Sequence, residues 1–311
     1  MQRKFLTYGF LFFLPVVLVY GLMEYLSDDL PSAFKTNRAY IDREQDSFTT
    51  LILGSSQMQG AVNPAEMENS LNLASGDQHH DTDFKLLQAL RTKLPKLKTV
   101  VLEVSYSHFE LPHNGPDFWK NALYLKYYDV NCYERNTYFK DRLLYLANPK
   151  VFSKKIKGHF VDKEQNEMYN AFGFNENNFQ GQFKDLGHDE AAIAAMPRFK
   201  INQEPNTSIF EQNSALFLEM MDYLSEQELQ VVICQLPMYK TYHARKHPDI
   251  LRRRDSLVSE VIKKYPNVRL LDQESDTTNY VVHDFWNQSH LNPKGAKKFT
   301  RSLRELLSLN P

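Results

Sequence analysis

The sequence predicts an α/β protein, a three-layer α/β/α domain on a mainly parallel sheet, carried behind one N-terminal transmembrane helix. Two patterns predict the domain. Short, continuously apolar runs alternate with amphipathic helical stretches, and polar, reactive side chains collect just past the apolar runs. The membrane helix follows from nineteen uncharged residues, Phe5 to Met23, rich in Phe, Leu and Val.

Taken in order, Arg3 and Lys4 precede that span, while Glu24, Asp28 and Asp29 follow it. The positive-inside rule then puts the N-terminus in the cytoplasm and the rest of the chain outside, in the periplasm if the cell is Gram-negative. Pro15 is compatible with a membrane helix. The alternative is a cleaved signal peptide. Against it, the run is longer than a usual signal core and no small-x-small site follows closely. Residues 1–26 are therefore read as a cytoplasmic tip and signal anchor. Residues 27–47, charged and containing Pro31, are read as a juxtamembrane tether, and 48–311 as the folded domain.

Within the domain Thr50–Leu53 reads as a first strand, and residues 64–70 as helical, with Asn63 as N-cap and Pro64 at the first position. Asn72-Leu73-Ala74 reads as a second strand, residues 82–94 as an amphipathic helix, and 99–104 as a continuous apolar strand suited to a buried parallel sheet. Residues 110–205 break the alternation. They are rich in Tyr, Phe and Asn, with helical stretches near 119–128 and 140–146 and loops near 175–187. This insertion could line a carbohydrate groove, meet a membrane partner or simply pack. Regularity returns with a helix at 209–226, a strand at 230–236, a helix at 248–264, a strand at 268–271 and a closing helix at 293–307 capped by Asn292. In such sheets functional groups gather beyond the strands' carboxyl ends. Gly54-Ser55-Ser56, Ser75-Gly76, Ser105-Tyr106-Ser107 and Pro237-Met238-Tyr239 all fall there.

Composition narrows the function. A formal net charge of −1 and a pI near 6.8 give no reason to expect nucleic acid. Two cysteines, Cys132 and Cys234, form no disulfide framework and have no metal-ligand spacing. His79-His80-Asp81-x-Asp83 has metal-capable side chains but opens a helix, where Asp is expected for capping. Arg252-Arg253-Arg254, with Arg245 and Lys246, could meet an anionic polymer or headgroups, and otherwise forms a solvated helix face. There is no GxGxxG and no Walker pattern, so no cofactor is expected.

A strand ending in Gly-Ser-Ser can present a hydroxyl at a sheet edge, and His290, just before a capped helix, can be held to take its proton. Ser56 could equally be only a helix N-cap. These blocks resemble the SGNH (GDSL-type) hydrolase superfamily of α/β/α serine esterases and acyltransferases. Gly54-Ser55-Ser56 stands where that family has Gly-Asp-Ser. Gly76 matches its oxyanion glycine, and Asn287-Gln288-Ser289-His290-Leu291 matches its Asp-x-x-His-Leu. Ser105-Tyr106-Ser107-His108 occupies the Gly-x-Asn-Asp block without its Asn, leaving Ser107 there.

The nearest likeness is to membrane-anchored branches that acylate envelope polysaccharides, and it covers residues 48–110 and 229–307. It implies Ser56 as nucleophile, His290 as base, Asn287 as the group orienting it, and Gly76 and Ser107 as oxyanion donors. Further implications are a glycan substrate and a membrane-bound acyltransferase partner. Asp284 is an alternative acid if its loop folds back. Three arrangements stay open: a triad through Asn287, one through Asp284, or a fold that has lost the reaction and binds or assembles instead.

Overall fold

Five strands, β1 (Thr50–Leu53), β2 (Ser70–Asn72), β3 (Thr99–Glu103), β4 (Gln230–Gln235) and β5 (Val268–Asp272), form one sheet in the order β2-β1-β3-β4-β5. Every pairing is parallel. At the centre Leu51 lies opposite Leu71 on one side and Val100 on the other. This computed structural model describes residues 2–112, 118–133, 140–164, 168–179, 181–196 and 201–309.

Continuous apolar strands need cover on both faces, and helices lie on both. Ile52, Val101, Val232 and Cys234 share a core with Phe299 and Leu303 of the Pro293–Ser308 helix. The alternating positions Leu51, Leu53, Val100 and Leu102 are fully buried as well. Phe299 has no exposed surface, so truncating it to Ala should cost about 3–5 kcal/mol. The start of the Pro293–Ser308 helix is tightly seated. Asn292 accepts from Lys294 N and Gly295 N, and a Cβ on Gly295 would lie 2.2 Å from the Asp284 carbonyl oxygen. Only glycine fits there.

The chain divides into two compact units, Met1–Ser32 with Pro116–Gln165, and Ala33–Gly115 with Asn166–Pro311. The second carries the sheet. In the first, one helix spans Gln2–Asp29, long and apolar enough to cross a membrane, at about 42 Å from its rise per residue. Phe5, Phe10, Phe12 and Val17 on it are exposed. At its polar end Glu24 Oε2 accepts from Tyr145 N at 2.6 Å, while Asp28 takes the Tyr127 hydroxyl at 3.0 Å and pairs with Lys126 at 2.9 Å. These partners belong to the Asn121–Tyr128 and Leu144–Ala147 helices, so residues 116–165 form a unit with the N-terminal helix. The sequence pattern places most of them in one long insertion of the main domain, at 110–205.

Other expectations change in detail. The stretch read as a tether contains a helix, Ala33–Glu44, that buries Phe34, Asn37, Tyr40 and Ile41. Residues 64–70 hold only a single 3₁₀ turn, Pro64–Glu66, because β2 begins at Ser70. Asn63 caps that turn as expected. The loop near 175–187 contains a short helix, Gln182–Asp185. Both cysteines are buried.

Candidate active site

The order 2-1-3-4-5 reverses direction between β1 and β3, and the crevice beyond the carboxyl ends there is where doubly wound sheets bind ligands. Ser55 and Ser56 leave β1 at this point, and Ser105 and Ser107 follow β3. Gly54, at φ +143°, makes the exit turn, and a Cβ on it would sit 2.7 Å from the Glu103 Cβ.

A short helix, Ser56–Ala61, starts directly at the turn, and its N-cap is Ser55, whose hydroxyl accepts from Gln57 N at 3.2 Å. The capping role therefore falls to Ser55 and leaves the Ser56 hydroxyl for other work. Ser56 Oγ lies 2.8 Å from His290 Nε2. Its own N–H stands at the first helical position, where no intrahelical acceptor exists and the positive end of the helix favours developing negative charge.

His290 is oriented from its other side. Asn287 Oδ1 accepts from Ser289 N and His290 N, each at 2.9 Å, and lies 3.0 Å from His290 Nδ1. Two backbone donors require the amide oxygen, not its NH₂, to face this point. The oxygen then needs the proton on Nδ1, which leaves Nε2 as the acceptor facing Ser56. Ser289 Oγ stands 3.1 Å from Nδ1 as well. Burial lowers the His290 pKa to about 4, against a smaller upward pull from Asp77, so the imidazole is neutral and its Nε2 lone pair is free of a proton at ordinary pH.

Asp284, the alternative acid, is turned away. It is fully buried, accepts from Val281 N at 2.9 Å and pairs with Lys298 at 2.6 Å. Its carboxylate closes a local turn and ties down the last helix, so the expectation of a triad through Asp284 does not survive. Of the two expected oxyanion donors, Ser107 lines the cavity in front of Ser56, whereas the wall next to Gly76 is made by Asp77 and Gln78.

One residue escaped the sequence reading. Glu103, fully buried at the end of β3, accepts from Ser55 N at 2.8 Å, from the Ser55 hydroxyl at 2.9 Å and from Met58 N at 3.2 Å. Burial pushes its carboxyl pKa up, and the bonds from Ser55 pull it down. A Glu in the otherwise apolar run Thr99–Val104 was the signal for it.

The remaining polar clusters have structural work. His80 Nε2 meets the Glu103 carbonyl at 2.9 Å, Asp81 pairs with Lys85 at 2.8 Å, and Asp83 takes a bond from Gln78 at 2.7 Å. These side chains converge on no common point. Burial pushes the Asp83 carboxyl up to about 8. In the arginine run, Arg254 is buried against Glu274 at 2.8 Å together with Lys246 at 2.7 Å, and Arg253 reaches Glu110 at 2.5 Å. Only Arg252 of the three fits the expected solvated face.

No family model and no curated protein matches the chain. Among solved structures, one is a Bacteroides fragilis protein provisionally described as an acylhydrolase. It is 9% identical, with 86% of this chain and 94% of that one covered and a TM-score of 0.39. Another, from Streptococcus pneumoniae, is provisionally described as a platelet activating factor. It is 8% identical, covers 94% of this chain and 98% of its own, and has a TM-score of 0.42. Likenesses this remote add nothing to the geometry, and the site itself, with the sheet order, carries the functional reading.

Proposed function

We propose that this chain is a membrane-anchored, SGNH-like serine esterase or O-acyltransferase that acts on a cell-envelope glycan through an acyl-enzyme. The observation that carries the reading is the 2.8 Å approach of Ser56 Oγ to His290 Nε2, with the ring fixed in the base-competent tautomer by Asn287. In the first half-reaction Ser56 Oγ attacks the ester carbonyl carbon and its proton passes to His290 Nε2. The oxyanion is met by Ser56 N–H, with Ser107 at the cavity wall. Collapse breaks the carbonyl–alkoxide bond, and His290 returns the proton to the leaving alcohol. Water, or a sugar hydroxyl, then gives its proton to His290 and attacks the acyl carbon, and as the acyl–Oγ bond breaks His290 returns that proton to Ser56 Oγ.

The apolar Gln2–Asp29 helix supports anchoring, and Arg3 and Lys4 before it favour an extracytoplasmic domain. A glycan acceptor is supported by the hydroxyl- and amide-rich cavity before Ser56. A second reading, a fold kept for binding or assembly, is favoured by the uncharged Asn287. Labelling with a fluorophosphonate separates them. Ser56 should be the labelled residue, with Ser56→Ala silent and Ser55→Ala still labelled. A wild-type protein inert to the probe and to simple acyl esters makes the binding reading the correct one.

A further inference from the structure

Two cavities open on the same Ser56–His290 pair. One, of about 870 Å³, mixes polar groups such as Gln57, Gln78, Ser107 and Asn202 with apolar ones such as Ile201 and Ile209. The other, of about 230 Å³, is walled mainly by apolar surface, from Gly60, Phe174, Trp286, Leu291 and Pro293, with the amides of Gln59, Asn175 and Asn178 beside it, and has no carboxylate or cationic chain in its wall among the described residues. Pockets for drug-sized ligands run to roughly 300–1,000 Å³. The larger cavity lies inside that range and the smaller one falls below it.

We propose that the catalytic pair divides the site by chemistry. The small, mainly apolar cavity receives the acyl chain, and the large cavity receives the hydroxylated leaving group and acceptor. This rests on the reading of Ser56 as the acylated nucleophile. A carbonyl carbon bonded to Ser56 Oγ has one substituent that stays through both half-reactions, the acyl chain, and one that is exchanged, the alcohol. Two cavities meeting at one oxygen suit that asymmetry. A hydroxylated group placed in the small cavity would meet more apolar surface and fewer hydrogen-bond partners than in the large one, whereas an acyl chain there loses only water contact. The exchanged group needs room to leave and be replaced, and the larger cavity offers it.

Gly60 is the lever. A Cβ on it meets only the Leu291 carbonyl oxygen, at 3.7 Å, so a larger side chain can be added without a clash at its root and grows into the small cavity. In the same wall the Trp286 ring stands 6.0 Å from the His290 ring, and its removal enlarges the same space.

The test uses the full-length protein in detergent, with acetyl, butyryl and octanoyl esters of one alcohol, and with methyl and hexyl fluorophosphonates to count active sites. Wild type should hydrolyse the butyryl ester at least as well as the acetyl ester. Gly60→Leu should lower kcat/KM for butyryl at least tenfold relative to acetyl, within the range for a methylene or two in a fitted pocket. Trp286→Ala should do the opposite, raising octanoyl relative to acetyl and admitting the hexyl probe. Ile209→Trp, in the large cavity, should leave the chain-length order unchanged and alter the dependence on the alcohol. If the chain-length order responds to Ile209→Trp and not to Gly60→Leu and Trp286→Ala, the two sides are reversed and the proposal fails. It fails too if methyl-probe labelling is intact and no variant moves the order. A wild-type protein that neither labels nor hydrolyses any ester overturns the esterase reading itself.

Discussion

Asn287 grips His290 twice through one oxygen, at 2.9 Å from its backbone nitrogen and 3.0 Å from ring Nδ1. In a Ser-His-Asp protease the corresponding Asp→Asn change lowers kcat about 10⁴-fold because the amide stabilises the wrong tautomer. Here the Ser289 and His290 N–H groups pin the oxygen toward the ring, so what is missing is the charge and not the tautomer. Asn287→Asp should therefore raise kcat for simple esters only about tenfold, the difference between a neutral and a charged hydrogen bond to the imidazolium. Asp284→Asn, by contrast, should cost about 1–3 kcal/mol of stability by breaking the buried contacts to Val281 N and Lys298. It should leave turnover per labelled site intact. Urea melts and active-site titration check both, and a sharp loss of turnover with Asp284→Asn would overturn the assignment.

The pH profile gives a second check. With its pKa lowered to about 4 by burial, His290 stays neutral well below the range of a solvent-exposed histidine. The acid limb of kcat/KM should fall near pH 4, with little loss between pH 7 and 5. Stability follows the same group. The unfolded chain binds a proton at this site below about pH 6.5, while the folded chain does so only near 4. The His290 contribution is thus complete above about 6.5 and is lost as pH falls toward 4. Asn287→Asp should move the acid limb upward, since a carboxylate beside the ring favours its charged form. An acid limb at 6.5 in the wild type would contradict the buried, neutral base.

Glu103 offers a third. Its carboxylate accepts three donors from the turn that carries Ser56. Glu103→Gln can keep its amide oxygen toward Ser55 N and Met58 N but turns the NH₂ toward the Ser55 hydroxyl that the other carboxylate oxygen accepts from, at about 1–3 kcal/mol. Because Glu103 acts through the Ser55–Ser56 turn, kcat should drop while KM changes little, and Glu103→Ala should be worse on both stability and kcat. If both variants leave kcat unchanged with the chain folded, Glu103 does not position Ser56.

Topology is the fourth. A reporter that folds only outside the cytoplasm, fused after Pro311, a residue outside the described ones, should be active, and the same fusion with Arg3 and Lys4 replaced by Glu should lose activity. A cytoplasmic C-terminus would remove an envelope glycan as substrate.

Much of this architecture is legible in the chain because the strands are short, continuous apolar runs whose ends are marked. Thr50–Leu53 and Pro248–Lys264 match the sequence reading residue for residue. The Ser56 and His290 blocks were legible for the same reason, each lying beside a strand end or a capped helix. What escaped reading depended on distant partners. Arg253 finds Glu110 across 143 residues, and nothing local marks that pairing. The Ala33–Glu44 helix hid behind its charged outer face, although Phe34, Asn37, Tyr40 and Ile41 keep a helical period. The small cavity draws Tyr169 and Phe174 from a stretch without regular structure, where periodicity offers no guide.

The Ser56–His290 contact spans 234 residues of chain, and this sets when the protein can first react. Closing so long a loop costs roughly 5 kcal/mol of chain entropy beyond the constant for any loop, which the packed sheet and final helix must offset. A chain synthesised only as far as the Pro248–Lys264 helix contains β1 to β4 and the Ser55–Ser56 turn, yet lacks His290 beside the hydroxyl. Under the proposed function such an unfinished molecule is chemically silent, and reactivity waits for the docking of Pro293–Ser308 at the end of the chain.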